Sequence, residues 1–333
     1  MKKRILSGMR PTGKLHLGHL AGALNNWVRM QQEYDCFYMV ADYHALMSEY
    51  ENPSTIKENI IDNVADWIAC GVDPEKSLIF VQSDVPEHLE LYMILSVITP
   101  LSWLERCPTY KEQLKEVEGR DLATYAFLGY PVLQSADILL YKADAVPVGE
   151  DQLPHLELTR EIMRRFNYFY MSAAQEGKKE IFPEPEAILT KTPRLLGIDN
   201  RKMSKSYGNA ITLSDTPEDI KKKVAAMITD PSRVRKQDPG HPEICNVHSY
   251  YKFFFPDFSE TVAGECRAAK VGCVENKARL AERIIELLRP IRQKRNELLG
   301  DKSRLEGILT AGAERARQVA RETLNEVKKA VGI

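Results

Sequence analysis

The chain has 333 residues, 44% of them hydrophobic and 28% charged, with 46 Lys and Arg against 47 Asp and Glu. Such proportions describe a globular protein with enough chain for one large domain or two modest ones, and they exclude a small, strongly basic nucleic-acid module. No apolar run nears the ~20 residues of a membrane helix, and six cysteines spread over this length make no disulfide framework. The basic start passes at once into Ser7-Gly8-Met9-Arg10-Pro11 without a signal-peptide core. A cytoplasmic protein with no membrane association is expected.

In chain order, Arg4–Gly8, Cys36–Ala41, Leu78–Gln82 and Ala145–Val148 are apolar runs of strand length, and segments with helical spacing, Leu17–Gln32 and Thr55–Ala69 among them, follow such runs. That alternation predicts an α/β fold, a parallel sheet with helices on both faces and ligands bound beyond the carboxyl ends of the strands. The second part changes character. Pro217–Ile228, Ser259–Lys270, Glu275–Leu299 and Ala311–Ala330 are amphipathic and read as an all-α domain, with Pro290 expected to kink or end the third helix. Polar Asn200–Asn209 reads as a loop between the two. Residues 1–200 carry 20 basic and 29 acidic side chains, whereas residues 201–333 carry 26 and 18. Either the helical part simply carries more Lys and Arg on solvated faces, or it meets a polyanion.

Two clusters carry chemistry. After the first strand, His16-Leu17-Gly18-His19 opens a helix, whose N-terminus suits phosphate. The histidines share one face, and Gly18 leaves room for a base or phosphate against the backbone. A pair of surface histidines at a helix start fits the same residues. Further on, Arg201-Lys202-Met203-Ser204-Lys205-Ser206 offers two mobile ammonium groups three residues apart, suited to a triphosphate. A plain solvated loop fits that pattern too.

Taken together, H-x-G-H and K-M-S-K-S resemble the signature pair of class I aminoacyl-tRNA synthetases. Between them, Tyr130-Pro131-Val132-Leu133-Gln134-Ser135-Ala136-Asp137-Ile138-Leu139-Leu140-Tyr141, Val146-Pro147-Val148-Gly149-Glu150-Asp151-Gln152 and His155–Ile162 are similar to the tryptophan–tRNA ligase branch of that class. The match runs from residue 5 to about residue 210, and the helical remainder agrees in character more than in motif. The resemblance implies a Rossmann-type catalytic domain over 1–205, with a dimer interface within 100–170, and a helical anticodon-binding domain over 206–333. It further implies ATP-dependent joining of L-tryptophan to tRNA(Trp) through an adenylate, with Mg²⁺ accompanying ATP and a homodimer as the working unit.

The site residues follow from that resemblance. His16 and His19 would face the phosphates and adenosine, Arg10, Pro11 and Thr12 the phosphates from the preceding loop, and Gly149, Glu150 and Asp151 the ribose. Lys202 and Lys205, with Met203, Ser204 and Ser206, would clamp the outer phosphates. Because the substrate carboxylate is itself the nucleophile, positioning and charge stabilisation are the enzyme's task. Asp137 would accept the indole N–H, which can only donate; a structural carboxylate is the competing reading. Tyr130 and Gln152 would hold the ammonium and carboxylate end. Gln134 stands where Met is usual in the branch, and His44 is either a pocket residue or a core histidine.

Cys245, Cys266 and Cys273 match the first three positions of a four-cysteine iron–sulfur site found in some members, but Asn276 stands at the fourth. A remnant is expected; the alternatives are an iron–sulfur cluster on three thiolates with a non-cysteine fourth ligand, or zinc through His241 or His248. Three rival readings remain open: the tyrosine enzyme of the same class, a small-molecule nucleotidyltransferase, and a non-catalytic tRNA-binding paralogue.

Overall fold

The computed structural model describes residues 2–108, 110, 123–171, 180–189, 195–203 and 207–333. Among these, five parallel strands form one sheet: β1 (Arg4–Met9), β2 (Asp35–Val40), β3 (Ser77–Val81), β4 (Ala145–Val148) and β5 (Glu186–Leu189), in the order β3-β2-β1-β4-β5. In the register, Ile5 lies opposite Cys36 on one side and Ala145 on the other. β2 and β3 are buried almost throughout, as strands covered on both faces must be. The edge strand β5 was not anticipated, because its short, half-exposed Glu-Ala-Ile-Leu follows a Pro-Glu-Pro run and lacks a continuous apolar signal.

Aromatic packing anchors the sheet. Trp27 stacks on Tyr38 at 4.3 Å between ring centroids, and Trp67 meets Trp27 edge-on at 4.9 Å. Trp27 Nε1 donates to Ser7 Oγ, and Tyr38 Oη donates to the Trp27 carbonyl, while the buried Trp67 Nε1 has no partner among the described residues.

The chain divides into two compact units, one of Met1–Thr12, Asn26–Lys191 and Asp301–Ile333, the other of Gly13–Asn25 and Thr192–Gly300. This differs from the expected division at 205/206. The last helix, Lys302–Val331, belongs to the first unit: Ala313, Ala316, Ala320, Leu324 and Val327 join its core. Helical periodicity reveals an apolar face but not what that face will cover. Here the helix backbone lies so close to β3 that a Cβ on Gly312 would fall on the Ile79 carbonyl oxygen. Arg317 and Arg321 both reach Glu87, and Lys142 pairs with Glu326 at 2.8 Å.

In the second unit, helices span Pro217–Ala225, Asn246–Phe254, Pro256–Arg267 and Cys273–Gly300. Pro290 lies inside the last of these, which runs on through it to Gly300. No described helix is long and apolar enough to cross a membrane.

Candidate functional site

Strand order reverses between β1 and β4, and a crevice at the carboxyl ends of such neighbours is where doubly wound sheets take ligands. A cavity of about 300 Å³ lies there, within the first unit. Leu6, Ser7 and Gly8 of β1, Val146–Val148 of β4, and Met39 and Ala41 from the β2 end form part of its wall. The helix Tyr125–Leu140, capped by Thr124 Oγ1 on the Phe127 N–H, supplies Tyr130, Gln134, Asp137 and Ile138. Those positions recur every three to four residues, so one helical face meets the cavity. Arg10, His44 and Gln152 also line it. Gln134 is thus a wall residue.

Asp137 is buried and charged. Gln82 Nε2 donates to Oδ1 at 2.8 Å, His44 Nε2 meets Oδ2 at 2.8 Å, and His88 Nδ1 lies 2.7 Å from Oδ1, off the line of a straight hydrogen bond. Burial alone would push the carboxyl up. The hydrogen bond from His44 and the close approach of His88 outweigh it and bring the value down to about 2. An isolated buried carboxylate would be far too costly; this one persists because donors surround it.

A second polar chain borders the cavity. Tyr130 Oη and His155 Nε2 are 3.0 Å apart, and His155 Nδ1 lies 3.6 Å from Cys107 Sγ. Burial lowers His155 to about 4, so it is neutral near pH 7. Glu150–Gln152 form a turn after β4 in which Glu150 and Asp151 are exposed, and a side chain at Gly149 would press on the Asp151 carboxylate. His155 opens one of the segments that carry the resemblance but was given no role; Gln82, His88, Tyr141 and Cys107 were not assigned to the site from the sequence. Gln82 alone carried a signal, since it ends a strand-like run at the ligand-binding edge; single histidines in apolar helices carry none.

In the second unit the two sequence clusters come together. His16 is the N-cap of a helical turn, its Nδ1 accepting from the Gly18 N–H at 3.1 Å, while His19 Nδ1 accepts from the His16 N–H at 3.1 Å. Both Nδ1 lone pairs are therefore engaged, and in the neutral rings the proton sits on Nε2, a donor. The chain around His16 pairs with the segment past the lysines: Leu17 N–H donates to the Ile211 carbonyl, and Leu213 N–H to that of Leu15. Met203 is buried, and its Sδ lies 3.4 Å from where a Cβ on Gly18 would be. Lys202 is exposed. Ser204, Lys205 and Ser206 lie outside the described residues. Pro11 and Thr12 close the first unit's opening segment, where the Thr12 N–H turns back to the Arg10 carbonyl at 2.9 Å.

Two thiols of the cysteine triplet face an arginine. Arg233 Nη1 lies 3.6 Å from Cys266 Sγ and 4.0 Å from Cys273 Sγ, placing a fixed cation against two of the thiols. Burial pushes the Cys266 thiol up despite that guanidinium. His241 is engaged with Asp230 at 2.8 Å, and buried Asn276 stands at the fourth position. Among the described residues, no group of three or more His, Cys, Asp or Glu is arranged to hold a metal ion.

Comparison with known proteins matches residues 1–289 to the family described as tRNA synthetases class I (W and Y). A tryptophan–tRNA ligase of Thermotoga maritima is 51% identical over 335 residues, covering 99% of each chain. One from Aquifex aeolicus is 44% identical, covering 99% of this chain and all of its own. The crystal structure of tryptophanyl-tRNA synthetase from Campylobacter jejuni, complexed with ADP and tryptophan, superposes with a TM-score of 0.89 at 34% identity, covering 99% of this chain and 100% of that one.

Proposed function

The chain belongs to the class I tRNA synthetases of the tryptophan and tyrosine group, and from that premise we propose how its residues divide the work. The reaction is the ATP-dependent ligation of L-tryptophan to tRNA(Trp): the amino-acid carboxylate attacks the α-phosphorus of ATP, pyrophosphate leaves, and the tRNA's terminal ribose hydroxyl then takes the acyl group from the adenylate, releasing AMP.

The observation that carries the amino-acid assignment is Asp137. A tryptophan pocket needs one buried acceptor among apolar walls, because the indole N–H only donates. Oδ1 of Asp137 is engaged by Gln82 and His88, which do not line the cavity, and Oδ2 by His44, which does. One lone pair of Oδ2 is thus left on the cavity side for the indole N–H. Tyr130, Gln134 and Gln152 hold the ammonium and carboxylate end. An analogue without the donor leaves that oxygen unpaired, the kind of loss that gives discrimination of up to ~10⁴–10⁵.

Phosphate handling falls to the His16–His19 turn and the lysine loop. Their Nε2–H groups and ammonium charges strengthen as negative charge gathers on the leaving pyrophosphate, which is how binding groups accelerate a step rather than merely hold its substrate. Arg10 and Thr12 act on the phosphates, and Gly149, Glu150 and Asp151 meet the ribose hydroxyls. No described carboxylate group forms a cage for Mg²⁺. Magnesium accompanying ATP would be held mainly by phosphate oxygens, neutralising their charge.

Two partners complete the reading. The helices of the second unit take the tRNA anticodon region. Leu89, Met93 and Val97 form an exposed stripe at four-residue spacing on the helix Glu87–Ile98, beside exposed Leu101, and such a stripe suits a second copy of the chain. Met93→Glu should yield a monomer by sedimentation; a dimer unchanged by that charge places the interface elsewhere. The cytoplasm is the compartment this activity implies. ATP–pyrophosphate exchange against all twenty amino acids tests the whole: tryptophan alone should support it, and tyrosine-dependent exchange would reassign the pocket.

A further inference from the structure

Behind Asp137, on the side away from the cavity, lie three side chains that the reaction above leaves without a role. Gln82, His88 and Tyr141 are fully buried. Gln82 Nε2 and His88 Nδ1 both address Asp137 Oδ1, at 2.8 and 2.7 Å, and His88 Nε2 is 2.7 Å from Tyr141 Oη. We infer that His88, held by Tyr141, is a positioning residue that joins Gln82 in fixing the Asp137 carboxylate so that Oδ2 alone presents an acceptor to the substrate. The inference rests on the reading that Asp137 receives the indole N–H.

The chemistry of the chain leaves one arrangement of protons. An ionised carboxylate only accepts, so the nitrogen beside Oδ1 carries hydrogen, and in a neutral imidazole the other nitrogen then holds a lone pair. Tyr141 must donate into that lone pair. Its hydroxyl is well suited to do so, because burial, with Asp137 and Glu87 nearby, keeps it protonated. The order of donation is therefore Tyr141 O–H to His88 Nε2, and His88 Nδ1–H to Asp137. Gln82 supports this account from its other end. Its Oε1 is buried with no partner among the described residues, an unfavourable state for such a group, yet turning the amide over would set that oxygen against a carboxylate. The amide is oriented by the demand of Asp137. With Gln82 bonded to Oδ1 and His88 Nδ1 set against it at 2.7 Å, rotation of the carboxylate about its Cβ–Cγ bond is opposed, and the direction of the remaining Oδ2 lone pair is set before substrate arrives.

A positioning role and a merely structural one separate in a ratio. Calorimetry on the full-length enzyme would compare tryptophan with its benzothiophene analogue, in which sulfur replaces the indole N–H. Tyr141→Phe removes one oxygen from the chain and should weaken tryptophan about tenfold while leaving the analogue unchanged, so the ratio contracts. Both ligands weakening together, or neither changing, would overturn the inference. Nitrogen-15 shifts of His88 in histidine-labelled protein read the tautomer directly: the Nδ1–H form supports the chain, and the Nε2–H form overturns it without any substitution. If Asp137→Asn leaves the wild-type ratio intact, the reading of Asp137 itself has failed and this inference falls with it, whatever Tyr141→Phe does.

Discussion

The imidazoles of His16 and His19 face each other with ring centroids 3.9 Å apart, and each uses Nδ1 to accept a backbone N–H of the turn they share. One residue type thus performs two tasks. Nδ1 serves the helix start, a contribution of about 1 kcal/mol, and in the proposed mechanism the Nε2–H group donates to phosphate. The tasks can be separated. His16→Asn keeps a capping oxygen but lacks a donor at the Nε2 position, so tryptophan-dependent pyrophosphate exchange should fall roughly 10²-fold with little change in melting temperature. His16→Ala should lose both. Equal melting temperatures for the two variants would remove the capping role.

Lys205→Ala should lower the rate of adenylate formation by about 10²-fold or more by removing positive charge from the leaving pyrophosphate, while tryptophan affinity holds. Single-turnover adenylation at the wild-type rate would take Lys205 out of the mechanism.

His155 predicts an acid-side loss of stability. Burial brings its folded-state value down to about 4, below the ordinary 6.5, with Asp151 opposing the shift. The unfolded chain therefore binds the proton first, and stability falls as pH drops from about 6.5 toward 4, by up to about 3 kcal/mol. Asp137 acts in a lower window: its contribution is complete above the ordinary carboxylate range and is lost as pH falls toward 2. Urea unfolding at pH 7.5, 6 and 5 should show the upper slope in the wild type and a flatter one in His155→Gln. Identical slopes would assign that acid sensitivity to other groups.

Gly312 inverts a helix rule. Alanine in place of a mid-helix glycine ordinarily stabilises by up to about 1 kcal/mol. At 312 the added methyl meets the Ile79 backbone, so Gly312→Ala should instead destabilise by about 1–3 kcal/mol, read as a lower urea midpoint. A raised midpoint would mean that the last helix can move off β3 at little cost.

Phosphate neutralisation makes tRNA affinity fall with salt, and the structure narrows which lysines and arginines to test. Lys221 pairs with Glu282 at 3.0 Å, Lys223 with Asp215 at 2.6 Å, and Arg233 is held among backbone carbonyls and thiols. Lys222, Arg235 and Lys236 form no ion pair among the described residues. Glutamate at these three should reduce the slope of log affinity against log salt by about one for each phosphate no longer neutralised, with tryptophan-dependent exchange retained. An unchanged slope would leave the basic character of this part of the chain as solvated surface.

Local pattern sufficed for much of this protein. Four strands stood out as apolar runs, and the H-x-G-H and K-M-S-K-S clusters with the Tyr130–Asp137 helix carried the family and the residue types its chemistry needs, because strand length, helical spacing and motif are properties of neighbours in sequence. What required the tertiary structure is everything set by distant contacts. The sequence shows that Ala311–Ala330 has an apolar face; only packing assigns that face to β3, through a glycine that lets two backbones touch. Arg233 reads as a surface cation until it is found against Cys266 and Cys273. Most of all, Asp137 can be named from its helix, but its charge is decided by Gln82, His44 and His88, which stand 55, 93 and 49 positions away in sequence. Burial and charge compete at a single carboxylate, and the outcome depends on donors that no local pattern brings together.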